Sequence, residues 1–428
     1  MTDADSDRSL AVLRDGNFRL YIASRFCSTM AMTLLAASIS WQVFEISDSA
    51  LQLGLIGVAR FIPSLGLTLV GGAAADSYDR RRIVLAAEVG LMLVALCLMS
   101  MTFADAESLP LIYGLVVLNA SASAFEQPAR LAVLPSLVSR ERLPRAISIA
   151  SAINSFAFVS GPAAAGVIIA VASVGEAYAV NAILVALSFV GWLFLRVPGL
   201  VESRRITFQG VKEGVQFVWQ RQALLGCMTL DMFAVIFGGA QALLPIYATE
   251  ILDVGPLGFG ILSASLEAGA LLMALALVFL PPINHAGRAL LITVAVFGLA
   301  TIVFGLSRSF ALSLAAYMTV GMADQLSVVM RHTIIQLSTP DEIRGRVSSV
   351  SMLFINASNQ LGAAESGLVA AATSATFAVV SGGLAVLGVA GAVAARMPDL
   401  RRYTTSEHQA ALATTTPVES PEEVATPA

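Results

Sequence analysis

Charge is what this sequence has least of. Asp, Glu, Lys and Arg together make up 13% of its 428 residues, against 57% hydrophobic residues and a mean hydropathy of +0.80. A soluble chain of this length would need far more polar residues to cover its surface, so that class is excluded. Cysteine is nearly absent: Cys27, Cys97 and Cys227 all fall inside apolar runs, which excludes a disulfide framework and a thiolate metal site. Histidine is equally scarce, with His285, His332 and His408 scattered along the chain, and no metal-spaced His/Glu cluster appears. There is no Gly-x-Ser-x-Gly nucleophile elbow and no phosphate-cradling Gly-Lys loop. These gaps argue against an enzyme, a bound cofactor or metal, a nucleic-acid partner and an ATP-driven pump within this chain. An ion gradient is left as the energy source.

What is present is a series of apolar runs, each long enough to cross a bilayer core of about 30 Å. They cover residues 18–44, 51–75, 83–103, 109–134, 143–171 and 177–196, then 223–250, 256–280, 289–307, 310–336, 346–371 and 376–396. The segment from Met1 to Asn17 is polar, carrying Asp3, Asp5, Asp7, Arg8 and Arg14, and is expected not to be a cleavable signal. Basic residues alternate across this scheme. Arg25, Arg60, Arg130 and Arg331 lie inside runs and Arg308 in a gap on one side; the other basic residues all lie on the opposite side. Positive residues stay in the cytoplasm, so both termini are expected there. The expected fold is an all-α membrane protein of twelve transmembrane helices in two pseudo-symmetric six-helix bundles.

The halves echo one another. Leu137-Val138-Ser139-Arg140-Glu141-Arg142-Leu143, after the fourth run, is matched by Leu337-Ser338-Thr339-Pro340-Asp341-Glu342-Ile343 after the tenth, and Arg130 has a counterpart in Arg331. Paired repeats with a site at their interface are a common plan for secondary transporters. The chain accordingly divides into a cytoplasmic N-terminus (1–17), an N-terminal bundle (18–198), a cytoplasmic linker (199–222), a C-terminal bundle (223–397) and a tail (398–428) read as disordered from Tyr403 onward. In the linker, Phe208, Val211, Val215 and Val218 recur at helical spacing, which predicts an amphipathic helix lying on the membrane face.

The gap between the second and third runs, Gly71-Gly72-Ala73-Ala74-Ala75-Asp76-Ser77-Tyr78-Asp79-Arg80-Arg81-Arg82, resembles the signature loop of the major facilitator superfamily. Gly72, Asp76, Arg80 and Arg81 fall on its fixed positions, while Ser77 and Asp79 replace a basic residue and a glycine. The fifth run, with Gly161-Pro162 and Gly166, resembles the motif of that superfamily's antiporters, with alanine at two glycine positions. Phe125-Glu126-Gln127-Pro128-Ala129-Arg130 and Gly345-Arg346-Val347-Ser348 resemble the branch containing the enterobactin exporter and macrolide efflux proteins. This implies a loop that latches the two halves in the outward-facing state through Asp76, set against a helix N-terminus. It also implies a kinked fifth helix that seals the cavity against leak. The competing reading of Arg80–Arg82 is that they only orient the chain.

Ionisable residues inside the runs point to function. Arg60 and Glu267 fall nearest the midplane, Asp231 and Asp324 somewhat closer to the cytoplasm, and Glu126 stands four residues before Arg130, so that the pair can neutralise itself on one helix face. Asp231 is the first choice for the proton-coupling carboxylate, with Glu267 second and Asp324 and Glu126 in reserve; Arg60 is the expected charge partner. The function read from these residues is a proton-coupled exporter of an amphipathic small molecule, embedded in the bilayer and monomeric. The alternative is a non-transporting membrane sensor on the same fold. The sequence leaves the cargo open among siderophores, macrolides and other drugs.

Overall fold

The computed structural model describes residues 14–197, 208–281 and 283–405. Twelve long helices account for most of them: α1 Gly16–Ser47, α2 Ala50–Ser77, α3 Arg80–Phe103, α4 Leu109–Leu131, α5 Leu143–Val171 and α6 Val174–Phe194, then α7 Gln222–Phe237, α8 Gly255–Phe279, α9 Ala286–Leu306, α10 Phe310–Ser338, α11 Asp341–Ala372 and α12 Ala375–Arg396. Among the described residues 11 helical segments are long and apolar enough to cross a membrane. The twelfth, α11, has the length (32 residues) but carries Arg344, Arg346, Asn356, Asn359, Gln360 and Glu365. It packs along α2. The twelve-helix architecture read from the sequence is therefore the one observed.

Helix starts follow local chemistry. The Asp15 side chain accepts from the backbone N–H groups of Asn17 (2.8 Å) and Phe18 (3.3 Å) and opens α1. Asp79 does the same for α3 through Arg81 N at 2.9 Å. On the face opposite the termini the connections are tight. Asp48, Asp105 and Asp253 turn there with φ near +50° (47, 49 and 50°), a conformation aspartate tolerates better than most residues.

The seventh span departs from the single helix expected over 223–250. After Phe237 the chain meets Gly238-Gly239, makes a 3-10 turn over Ala240–Leu243, and ends in a π-turn over Tyr247–Ile251. A Cβ on Gly239 would lie 2.6 Å from the Gly362 carbonyl oxygen, so the break is where α7 lets α11 in closely. The linker helix forms over Phe208–Trp219, but it docks on α11 and buries Val218 in the C-terminal core, while Val215 stays exposed. The side chains of Phe208 and Val211 lie outside the described residues. The tail also starts ordered, against expectation: Leu400 and Tyr403 are buried, and Thr405 N donates to Asn284 O at 2.8 Å. Residues beyond 405 lie outside the described part.

The two bundles meet unevenly. On the face opposite the termini one hydrophobic core runs through both halves, joining Leu34, Trp41, Leu53 and Tyr178 to Tyr247, Phe259, Phe304 and Tyr317. On the termini face there are two cores instead. One holds Phe18, Tyr21, Val84 and Trp192 of the first half; the other holds Leu224, Leu290, Ile334 and Val386 of the second.

Candidate functional site

Two small-residue seams close the far end. Along α2 and α11, a Cβ on Gly54 would lie 2.9 Å from Gly367 Cα, and one on Gly57 would lie 2.7 Å from Gln360 O. Along α5 and α8, a Cβ on Gly166 would lie 2.5 Å from Gly260 Cα. Only glycine permits backbones this close, and van der Waals contact over such seams is how membrane helices associate. Of the fifth-helix motif, Gly166 and Pro162 therefore sit at the contact between halves, the Pro162 carbonyl facing Gly260. Gly161 turns instead to α1, where Thr33 fills the space a Cβ would need, and so belongs to packing within one half.

Below the seam, the N-terminal half holds a cavity with about 860 Å³ of empty space, part of it open to solvent. Its wall is rich in uncharged polar groups: the hydroxyls of Ser28, Thr29 and Ser123 and the amides of Asn119, Gln127 and Asn154. Met32 and Phe158 supply apolar surface, and Arg25, Glu126 and Arg130 bring charge. A few convergent polar groups on a partly apolar wall are what an amphipathic small molecule needs.

The expected pair Glu126–Arg130 forms, through Glu126 Oε1 and Arg130 Nε. The sequence reading missed its third member. Glu88 of α3, fully buried, meets Arg130 Nη2 at 2.6 Å and accepts from the Ser188 hydroxyl of α6. Arg130 also donates to Ser24 O (3.3 Å) and lies 5.5 Å from the Trp192 ring centroid. Glu88 escaped notice because its partner lies on another helix, 42 residues away. The available signal was an acid inside an apolar run with no cation within one turn.

The C-terminal half is arranged differently. Asp231 of α7 and Arg331 of α10, both buried, form an ion pair. Asp231 is thus held by Arg331 and not by Arg60. Glu267 of α8 and Asp324 of α10 come within electrostatic reach of each other, beside the close crossing of Leu266 and Gly321. Arg60 joins none of these groups and has no carboxylate partner among the described residues.

The charged loop between α2 and α3 is fastened to its own half. Arg80, largely buried, donates to Ala75 O (3.3 Å) and Ala132 O (2.9 Å), binding the ends of α2 and α4. Arg81 reaches Trp192 O (3.0 Å) and Leu193 O (2.6 Å), satisfying carbonyls at the end of α6. A Cβ on Gly72 would meet open space. Asp76 lies in the last turn of α2, and its side chain is outside the described residues.

Comparison with known proteins agrees with this geometry. Residues 7–423 match the family described as transmembrane secretion effector. Over 381 residues the chain is 27% identical to the enterobactin exporter EntS of Citrobacter koseri, covering 87% of this chain and 90% of that protein; the EntS of Shigella dysenteriae serotype 1 matches to the same extent. Among solved structures, a peptide transporter of the POT type in complex with sulfate superposes with a TM-score of 0.72 at 14% identity, covering 91% of this chain and 96% of that one. The nucleoside transporter NupG does so with 0.71 at 12% identity, covering 89% and 99%. A bacterial homologue of the human lysosomal transporter Spinster, solved inward-facing and unoccupied, gives 0.66 at 14%, covering 92% and 96%. A multi-pass bundle of twelve spans, sealed between its halves at one end and matched over nearly its full length, belongs to the transmembrane secretion effector family of major facilitator superfamily transporters.

Proposed function

We propose that the protein is a secondary exporter that carries an amphipathic, oxygen-rich small molecule across the cell's inner membrane by alternating access, driven by protons. One observation carries this reading: a single core closes the far face, while the termini face has two separate cores and the polar cavity lies below the seal. The arginines concentrate on the termini face, so that face is cytoplasmic, and the arrangement described here is the one loaded from inside. Substrate enters from the cytoplasm and lies against the hydroxyl and amide wall of the first half. The halves then rock, the glycine seams part, and the cytoplasmic ends close with Asp76 as their latch. Arg80 and Arg81 keep the loop rigid through this motion, because every bond recorded for them stays within the first half.

The relatives named for enterobactin export support a siderophore of that class as cargo. The wall of neutral donors and acceptors, with Arg25 paired to no carboxylate among the described residues, suits a molecule bearing many oxygens. The test is complementation. In a bacterium unable to release its own enterobactin, expression of this chain restores the siderophore to the medium, and collapsing the proton gradient abolishes that release. Unchanged intracellular retention, with no protection against a macrolide either, would contradict the reading.

A further inference from the structure

The buried charges of the N-terminal half do not balance. Glu88 and Glu126 both contact the single guanidinium of Arg130, and all three residues are at most 6% exposed. Two carboxylates against one cation leave a surplus negative charge on side chains largely withdrawn from water, and an uncompensated buried charge is costly. Among the described residues no second cation forms an ion pair with either carboxylate. Arg25 of α1 gives its Nη1 to the Tyr21 hydroxyl at 3.2 Å, and Tyr21 itself donates to the Arg130 backbone carbonyl. The remaining neighbours are neutral: Cys27 of α1, and Ser188 and Trp192 of α6. Glu88 Oε2 is buried and has no hydrogen-bond partner, although Oε1 of the same carboxylate has two.

We propose that Glu88, Arg130 and Glu126 together form the proton-binding site of this transporter, holding one proton shared between the two carboxylates. The step is simple: a carboxylate oxygen takes a proton, an O–H bond forms, and the triad becomes neutral. Glu126 is the member that opens to the cavity, where its Oε1 lies 3.4 Å from the Ser28 hydroxyl. When the proton leaves, Glu126 stands ionised on the cavity wall and accepts hydrogen bonds from substrate hydroxyls. When the proton returns, that acceptor weakens and the substrate is released. Proton and substrate thus exclude each other at one side chain, as antiport requires. This rests on the exporter reading above and assigns its coupling group to the first half. The Asp231–Arg331 pair of the second half is already neutral and has no use for a proton.

The shared proton makes an unusual prediction. Replacing either glutamate by glutamine leaves one carboxylate against one guanidinium, which is balanced, so either single change removes the proton. We would record infrared difference spectra of purified full-length protein between acidic and alkaline buffer, following the carbonyl band of protonated carboxyl groups. The wild type should show a component that is lost in Glu88→Gln and equally lost in Glu126→Gln, while Asp231→Asn retains it. The two glutamine variants back each other, so one that fails to fold leaves the other readable. Persistence of the component in either folded variant overturns the proposal, as does its absence from the wild type. The spectra require no cargo. A wild type that shows this pattern and yet neither restores siderophore release nor protects against a macrolide would remove the exporter reading and leave the site in place.

Discussion

Both halves bury an arginine at matching places, Arg130 on α4 and Arg331 on α10, and they neutralise it differently. In the second half one carboxylate, Asp231, meets one guanidinium among close-packed apolar residues such as Leu230, Met330 and Ile334. In the first half two carboxylates compete for one guanidinium beside an open polar cavity. On the proposal above, the balanced pair holds a bundle together and the unbalanced one exchanges a proton.

The largest effect should come from removing the arginines. Arg130→Met strands two buried carboxylates, and breaking a buried pair costs about 3–5 kcal/mol, so little folded protein should reach the membrane. Arg331→Met strands one and should fall at the lower end of that range, while Asp231→Arg combined with Arg331→Asp should recover most of the loss. Thermal unfolding of the purified variants checks all three. Equal losses for the two methionine variants, with no rescue by the exchanged pair, would erase the contrast between the halves.

A second comparison sets the sealed end against the split one. Gly166→Val places a side chain where Gly260 Cα lies 2.5 Å from a Cβ position. Overpacking of this kind costs about 1–3 kcal/mol, and here it acts on closure of the far end. Export should drop severely while the amount of protein in the membrane stays near normal. The same change at Gly72, where a Cβ meets open space, should leave packing intact. Counting the export rate per folded molecule separates the two sites.

Much of this was legible before any coordinates. Twelve runs and the arginine bias carry a fold whose helices, the seventh apart, differ from the runs by only a few residues, because span length and apolarity are local properties. The Glu126–Arg130 pair was legible for the same reason, being one helical turn apart. Glu88 and the partner of Asp231 were not, since both depend on which helices neighbour one another. The broken seventh span was missed because Gly238-Gly239 and Pro245 reduce apolarity little while ending the helix. The division of the fifth-helix motif, Gly161 facing α1 and Gly166 facing α8, follows from helix rotation, which a run of small apolar residues does not reveal.

The smallest effect is expected at the linker helix. Glu213 and Arg346 form an ion pair there, each side chain roughly half exposed (43 and 46%). Solvent-exposed pairs of this kind contribute about 0–1 kcal/mol. Glu213→Ala should leave both thermal stability and export within error. A large loss of export would instead make the linker part of the moving machinery.

The central claim is that one end closes as the other opens. Spin labels on cysteines introduced at Ala106 and Ser309, in loops of the two halves on the far face, report the sealed end; labels at Ser139 and Gly345 report the termini end. All four positions are surface loops or helix starts outside the packed cores, and the native Cys27, Cys97 and Cys227 would first be replaced. Pulsed distance measurements across a pH series should then show two populations that trade places. As the far-face distance lengthens, the termini-face distance shortens by a comparable amount. Two distances that stay fixed, or that lengthen together, would contradict the account.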